Sequence, residues 1–144
     1  WLQEEAPLTF HHLMGDVLGI RLLVKTLLRG KSIGILPDQV PPDGEGVWAP
    51  FFGRPAYTMT LVQRLQKLTG APIFILAIKR NGIGKGYTLH YKELIEPLAK
   101  DELAAARTIN QEMEEMIRKM PEQYLWGYNR YKVPKTKMFK TQET

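Results

Sequence analysis

The sequence predicts an α/β domain with a mixed, largely parallel sheet flanked by helices, and three observations carry that expectation. Helical stretches with apolar residues every three or four positions alternate with short apolar, β-branched runs. Two of those runs are joined by the glycine-rich turn "NGIGKG", which adds an antiparallel hairpin and makes the sheet mixed. The chain has 144 residues, the length of one ordinary domain, and no internal repeat, low-complexity stretch or linker divides it. Residues 1–144 are therefore expected to form one unit.

The elements follow in order. From Asp16 to Arg29 the apolar residues Val17, Ile20, Val24, Leu27 and Leu28 fall on one helical face, and Gly30 stops the run. "SIGIL", Ser32 to Leu36, is short, apolar and β-branched, as a buried strand would be. A long loop rich in glycine, proline and aromatics leads to Thr58–Thr69, where Leu61, Leu65 and Leu68 mark a second amphipathic helix ended by Gly70. "APIFILAIKR", Ala71 to Arg80, has the continuous apolar character of a strand buried on both faces, and "YTLHYKEL", Tyr87 to Leu94, alternates as its more exposed hairpin partner. Asp101 to Met120 is helical in composition, with Leu103, Ile109, Met113, Met116 and Ile117 on one stripe before Pro121 ends it; "EQYLW" follows as a last short apolar segment.

Composition narrows the chemistry. There is no cysteine, so disulfides, thiol nucleophiles and Cys-ligated zinc are excluded. No apolar run reaches the length of a membrane span. The opening "WLQEEAPLTF" has neither the basic nor the apolar region of a signal peptide, and begins without Met, as a fragment would. A net charge of +5 favours anionic partners. Its densest stretch is "RYKVPKTKMFK", where Arg130, Lys132, Lys135, Lys137 and Lys140 are interleaved with Tyr131 and Phe139; this reads either as a solvated tail or as a patch for an anionic membrane surface. The basic residues are otherwise dispersed and no recognition motif for nucleic acid is present, so no nucleic-acid partner is expected. Phosphate-loop, dinucleotide and metal-ligand spacings are absent too, and no cofactor or metal is expected.

Two constellations could do chemistry. Asp38 follows "GILP", and Pro37 ends the predicted strand, so the carboxylate would project from the sheet edge, where α/β sheets bind ligands. The local alternative is a turn-capping aspartate. Beyond it lie Gln39, the hinge glycines Gly44 and Gly46, and the aromatics Trp48, Phe51 and Phe52, either a lid over an apolar pocket or a cover for the core. His11 and Asp16 in "HHLMGD" stand at the His-x4-Asp spacing with which a carboxylate can orient an imidazole base. With this composition, chance gives such a spacing roughly three times in ten, and Asp16 also falls where a helix N-cap belongs.

"LLRGKSIGILPDQVPPDGEGVWAPFFGRPAYTMT", "RLQKLTGAPIFILAIKR" and "RTINQEMEEMIRKMPEQYLWGYNRYK" together resemble the C-terminal half of the bacterial lipid A biosynthesis acyltransferases, within the glycerolipid-acyltransferase-like superfamily. The Pro-Asp-Gln block, the Phe-Phe-Gly block, the Gly-Ala-Pro run and the Pro-Glu-Gln-Tyr-x-Trp ending occur in the family's order from about Gly19 to Lys132. The resemblance implies the C-terminal portion of a larger, here incomplete, acyltransferase domain. It implies transfer of a lauroyl or myristoyl chain from acyl carrier protein to a hydroxyl of a lipid A precursor, at the cytoplasmic face of the bacterial inner membrane.

Carried onto matching positions, the resemblance makes Asp38 the essential acidic residue and puts Leu36, Pro37 and Gln39 in the acceptor-binding block. Phe51, Phe52 and Gly53 fall in the aromatic block, Arg54 is an anion-binding candidate, and Arg130 is a basic position able to meet phosphate. In the family the catalytic His-x4-Asp/Glu motif lies well upstream of Pro-Asp-Gln, whereas His11 and Asp16 lie close before it. They therefore read as a chance spacing, retained as secondary catalytic candidates, and the general base is expected upstream of this chain. Two alternatives stand beside this reading: a non-catalytic module binding anionic lipid or carrier protein, and an acyltransferase acting on another glycolipid.

Overall fold

In the computed structural model residues 17–134 are described, and of Val17 and Leu18 only the backbone. Helix α1 spans Val17–Leu28, as its apolar spacing predicts. An irregular segment follows, then strands β1 (Gly46–Phe51) and β2 (Arg54–Met59), helix α2 (Leu61–Thr69), strands β3 (Ile73–Arg80) and β4 (Tyr87–Leu94), helix α3 (Glu102–Arg118) and a 3-10 turn at Pro121–Gln123. Local signals set the ends of the longer elements. Gly70 takes a left-handed φ of 66° to close α2, and its N–H donates to the Gln66 carbonyl. The Asp101 side chain caps α3 by accepting from the Ala104 N–H at 2.8 Å.

The mixed, largely parallel sheet is not what these residues build. The strands form two separate antiparallel pairs, β1 with β2 and β3 with β4, and no parallel pair occurs among the described residues. Ser32–Leu36 is not a strand: its backbone finds no ladder partner among the described residues, and it runs irregularly into a turn at Pro37–Asp38. The predicted aromatic loop contains the first hairpin. Its register closes at Phe51 opposite Arg54, leaving Phe52 and Gly53 as a two-residue turn with φ of 47° and 74°. Both values being positive is what a type I′ turn requires, and its twist matches that of the flanking strands. Phe52 pays a steric cost for this conformation, about 1 kcal/mol. Its N–H donates to Glu114 Oε1 of α3 at 2.7 Å, and its ring meets those of Phe51 and Trp126. Thr58 and Met59, predicted to open the second helix, belong to β2 instead.

The core sits where α3 crosses both hairpins. Ile109, Met113, Met116 and Ile117 on its apolar stripe pack against Phe51 and Ala56 of the first hairpin and Ile75 and Leu94 of the second. The second hairpin buries one face only. Ile73, Ile75 and Ala77 turn inward, while Phe74, Leu76 and Ile78 point out, Ile78 being 66% exposed. The predicted two-sided burial of this strand is thus half realised, since no described element covers its outer face. Gln123 joins this hairpin to the turn after α3 through paired bonds: its amide donates to the Arg80 carbonyl at 3.0 Å and accepts from the Arg80 N–H at 2.7 Å. No helix among the described residues is long and apolar enough to cross a membrane.

Gly46 is sterically required. A Cβ at Gly46 would lie 2.6 Å from the Thr58 carbonyl oxygen and 2.9 Å from Pro41, and the first is backbone that cannot swing aside. Gly46→Ala is expected to cost about 1–3 kcal/mol, read as a lower urea midpoint at unchanged slope. Gly127→Ala, where a Cβ meets nothing within 4 Å, should leave the midpoint in place.

Candidate functional site

Asp38 occupies the second central position of a turn whose ends are Leu36 and Gln39; the Gln39 N–H donates to the Leu36 carbonyl at 3.2 Å, and Pro37 supplies the fixed φ. Leu36 and Gln39 are exposed, Pro37 and Asp38 half-buried. The turn is pinned from outside. Val40 N–H donates to the Tyr128 hydroxyl at 2.8 Å, and further along the same loop the N–H groups of Gly44 and Gly46 donate to the Tyr57 hydroxyl at 3.0 and 3.1 Å. Two tyrosine hydroxyls thus satisfy three backbone N–H groups of this segment, at Val40, Gly44 and Gly46.

Tyr128 belongs to the segment after α3, which folds back through a series of tight turns. Trp126 Nε1 donates to the Pro121 carbonyl at 2.7 Å, and the N–H groups of Tyr128 and Arg130 donate to Leu125 and Tyr128 carbonyls. This path carries Arg130 inward to 3% exposure. One guanidinium nitrogen donates to the Tyr57 carbonyl at 2.7 Å and the other to the Thr58 hydroxyl at 2.8 Å, with Asn110 Oδ1 at 3.4 Å. Thr58 in turn accepts from the Asn110 amide at 3.0 Å, which also donates to the Pro50 carbonyl at 2.9 Å. Arg130 is thus tied into the interior, not displayed on a solvated basic tail. Of that stretch, Lys132 lies over the Tyr128 ring, while Lys135, Lys137, Phe139 and Lys140 fall outside the described residues.

Asp38, Tyr124 and Arg130 influence one another at the back of the turn. Burial, and next the charge of Asp38, push the Tyr124 hydroxyl up to about 12. The carboxylate approaches that hydroxyl without the geometry of a full hydrogen bond, so the hydroxyl has no partner among the described residues, and the buried Arg130 Nε–H has none either. Burial pushes the guanidinium down, with Tyr124 and Asp38 partly offsetting it; it remains a cation at neutral pH. A carboxylate, a neutral hydroxyl and a buried cation thus lie within electrostatic reach of one another; the Tyr124 hydroxyl and Arg130 Nε are out of solvent, so of the three the half-buried Asp38 is the group open to a ligand.

The other sequence candidates separate. Phe51 is 1% exposed and packs in the core. Phe52 lies half-buried at the hairpin tip beneath the Arg118 guanidinium, with Gly53 completing the turn. Arg54 is exposed and stacks over the Tyr131 ring at 4.1 Å. His11 and Asp16 lie outside the described residues.

The profile of the family described as bacterial lipid A biosynthesis acyltransferase matches residues 3–133. The chain belongs to that family. A lipid A biosynthesis palmitoleoyltransferase of Escherichia coli strain K12 is 29% identical over 133 residues, and a lauroyltransferase of the same strain is 31% identical over 135; each alignment covers 92% of this chain and 44% of the relative. A lipid A biosynthesis acyltransferase of Haemophilus influenzae is 26% identical over 108 residues, covering 75% of this chain and 34% of its own length. The chain therefore spans less than half the length of the curated relatives it matches. Within this member of the family, Asp38 and Arg130 are far apart in sequence, yet the fold brings both to Tyr124.

Sequence reasoning missed Tyr57, Tyr124, Tyr128, Thr58 and Asn110. One signal was present: Asn110 sits on the α3 stripe formed with Ala106, Met113 and Ile117, and an amide on an apolar stripe marks a buried polar contact.

Arg130→Met is expected to lose about 3 kcal/mol of stability, because two bonds from a charged donor vanish and their buried acceptors stay behind; chemical denaturation measures it. Tyr124 supplies a pH signature. Between about 10 and 12 the folded protein retains a proton the unfolded chain has released, so this group's stabilising effect is complete below pH 10 and is lost as pH rises through about 12. Ultraviolet titration should show a late tyrosinate phase, absent in Tyr124→Phe.

Proposed function

We propose that this chain forms the acceptor-site portion of an enzyme that transfers a fatty acyl chain from an acyl carrier protein thioester to a hydroxyl of a lipid A precursor, working at the cytoplasmic face of the bacterial inner membrane. The observation that carries the proposal is the family match across residues 3–133. The cluster of Asp38, Tyr124 and Arg130 supports it locally. In this reading a histidine upstream of the present residues takes the proton of the acceptor hydroxyl. The oxygen attacks the thioester carbonyl, a C–O bond forms as the C–S bond breaks, and the proton passes to the departing thiolate.

Asp38 accepts a hydrogen bond from the acceptor sugar or its hydroxyacyl chain and thereby fixes the approach of the reacting oxygen. Arg130 behind it tempers the negative charge that a carboxylate would otherwise present to the precursor's phosphates. Positioning of this kind carries much of the rate in a reaction between two bound substrates.

With this chain in its native polypeptide, Asp38→Ala should lower acyl transfer by about 100-fold or more, while thermal unfolding stays near wild type. Asp43→Ala, an exposed carboxylate in the same loop, should leave transfer unchanged. Full activity of the Asp38 variant in a thioester-release assay would reduce the residue to a turn former.

A further inference from the structure

The charge of this molecule is segregated. Neither α1 nor α2 contains an acidic residue, and no Asp or Glu occurs from Gly46 to Lys92, a stretch that carries seven Lys and Arg. The ion pairs among the described residues use Lys92 and Arg118 with glutamates of α3. Arg21 and Lys25 of α1, with Arg29 in the turn just past its end, stand at four-residue spacing and are all exposed. One residue behind each of them is an apolar stripe, Ile20, Val24 and Leu28. At about 100° per residue the two stripes lie side by side along one half of the helix surface.

Both stripes line the same groove, of about 430 Å³, between α1 and α2, with Leu68 of α2 as the facing apolar wall. Leu28 and Leu68 are 65% and 61% exposed there. Arg64 and Lys67, both exposed, add positive charge from α2. No residue of this groove belongs to the Asp38 cluster.

We infer that the α1–α2 groove is a docking surface for an anionic lipid bilayer, with the Arg21, Lys25 and Arg29 stripe on headgroup phosphates and the apolar stripe against acyl chains. The inference rests on the membrane location proposed above and names the surface that would meet it. An exposed basic rim alone would suit an acidic protein equally well; the open apolar floor beside it favours lipid, which offers anionic headgroups and hydrocarbon in that same adjacency. The sequence also suggested the C-terminal stretch for this task; there Arg130 is buried, Lys132 is exposed, and Lys135, Lys137 and Lys140 lie outside the described residues.

Sedimentation of the full 144-residue chain with vesicles provides the test. Binding is expected to vesicles of equal parts phosphatidylcholine and phosphatidylglycerol, to weaken with salt, and to be absent on pure phosphatidylcholine. Combined Arg21→Glu, Lys25→Glu and Arg29→Glu should weaken it by roughly 100-fold. Lys79→Glu, Arg80→Glu and Lys85→Glu, an equal charge change on the second hairpin, should weaken it far less. Leu28→Ser with Leu68→Ser should abolish the part of the binding that survives high salt.

Equal losses from the two charge-reversal triples would overturn the groove assignment in favour of net charge. An unaffected α1 triple would overturn it outright. Wild-type protein that ignores both vesicles but binds a polyglutamate peptide in a salt-dependent way would assign the surface to an acidic protein. Failure here is separable from failure of the proposed reaction, because Asp38→Ala should bind vesicles as wild type does whatever its transfer activity.

Discussion

The buried guanidinium of Arg130 organises the described residues. Arg130 lies almost wholly out of solvent, and two of its nitrogens bond to Tyr57 and Thr58 in β2, with Asn110 of α3 completing the ring of acceptors. A guanidinium placed inside without such partners would be strongly unfavourable. The segment after α3 must therefore fold back along one path, and the first hairpin and α3 must meet at one register. Asn110 reinforces the same junction by donating to both Pro50 and Thr58. Apolar packing of α3 on the hairpins supplies the larger burial, but it is non-directional; the polar ring selects the arrangement.

That junction also determines where the candidate site lies. Returning the segment after α3 to β2 positions Tyr124, Tyr128 and Tyr131, and each has a separate task. Tyr128 holds the backbone just after Asp38, Tyr131 donates to the Phe51 carbonyl at 2.8 Å, and Tyr124 stands behind the carboxylate. The Asp38 segment has no strand of its own to rest on, so its geometry depends on side chains nearly ninety residues away. The Asp38 turn is thus held from outside by the Tyr128 hydroxyl on Val40, and the Tyr57 hydroxyl fixes Gly44 and Gly46 further along.

Charge and apolar surface are distributed with equal directness. Acidic residues of α3 pair with Lys92 and Arg118, while α1 and α2 keep their positive side chains outward beside exposed leucines. The outer face of β3 likewise presents Phe74, Leu76 and Ile78 to solvent. Its continuous apolar run is the composition of a strand covered on both sides, and the described residues cover one.

What the sequence determined alone is local. Helix periodicity located α1 and α3, capping residues located their neighbours' ends, the "NGIGKG" turn located the second hairpin, and the order of short blocks was enough to name the family. These signals act over a few residues, so no tertiary information is needed to read them. Strand pairing was decided only by the fold. Ser32–Leu36 has strand composition but no strand partner among the described residues, and "FFG" became a hairpin turn because Glu114 and Trp126, far along the chain, hold Phe52 at a positive φ. The burial of Arg130 was equally illegible, since in sequence it belongs to a basic tail and only the return of the chain to Thr58 and Asn110 gives its charge partners inside. Asp38 was singled out from its place after a proline, but Tyr124 and Tyr128 were not, because their contacts span about ninety residues and depend on the return of the segment after α3 to β2.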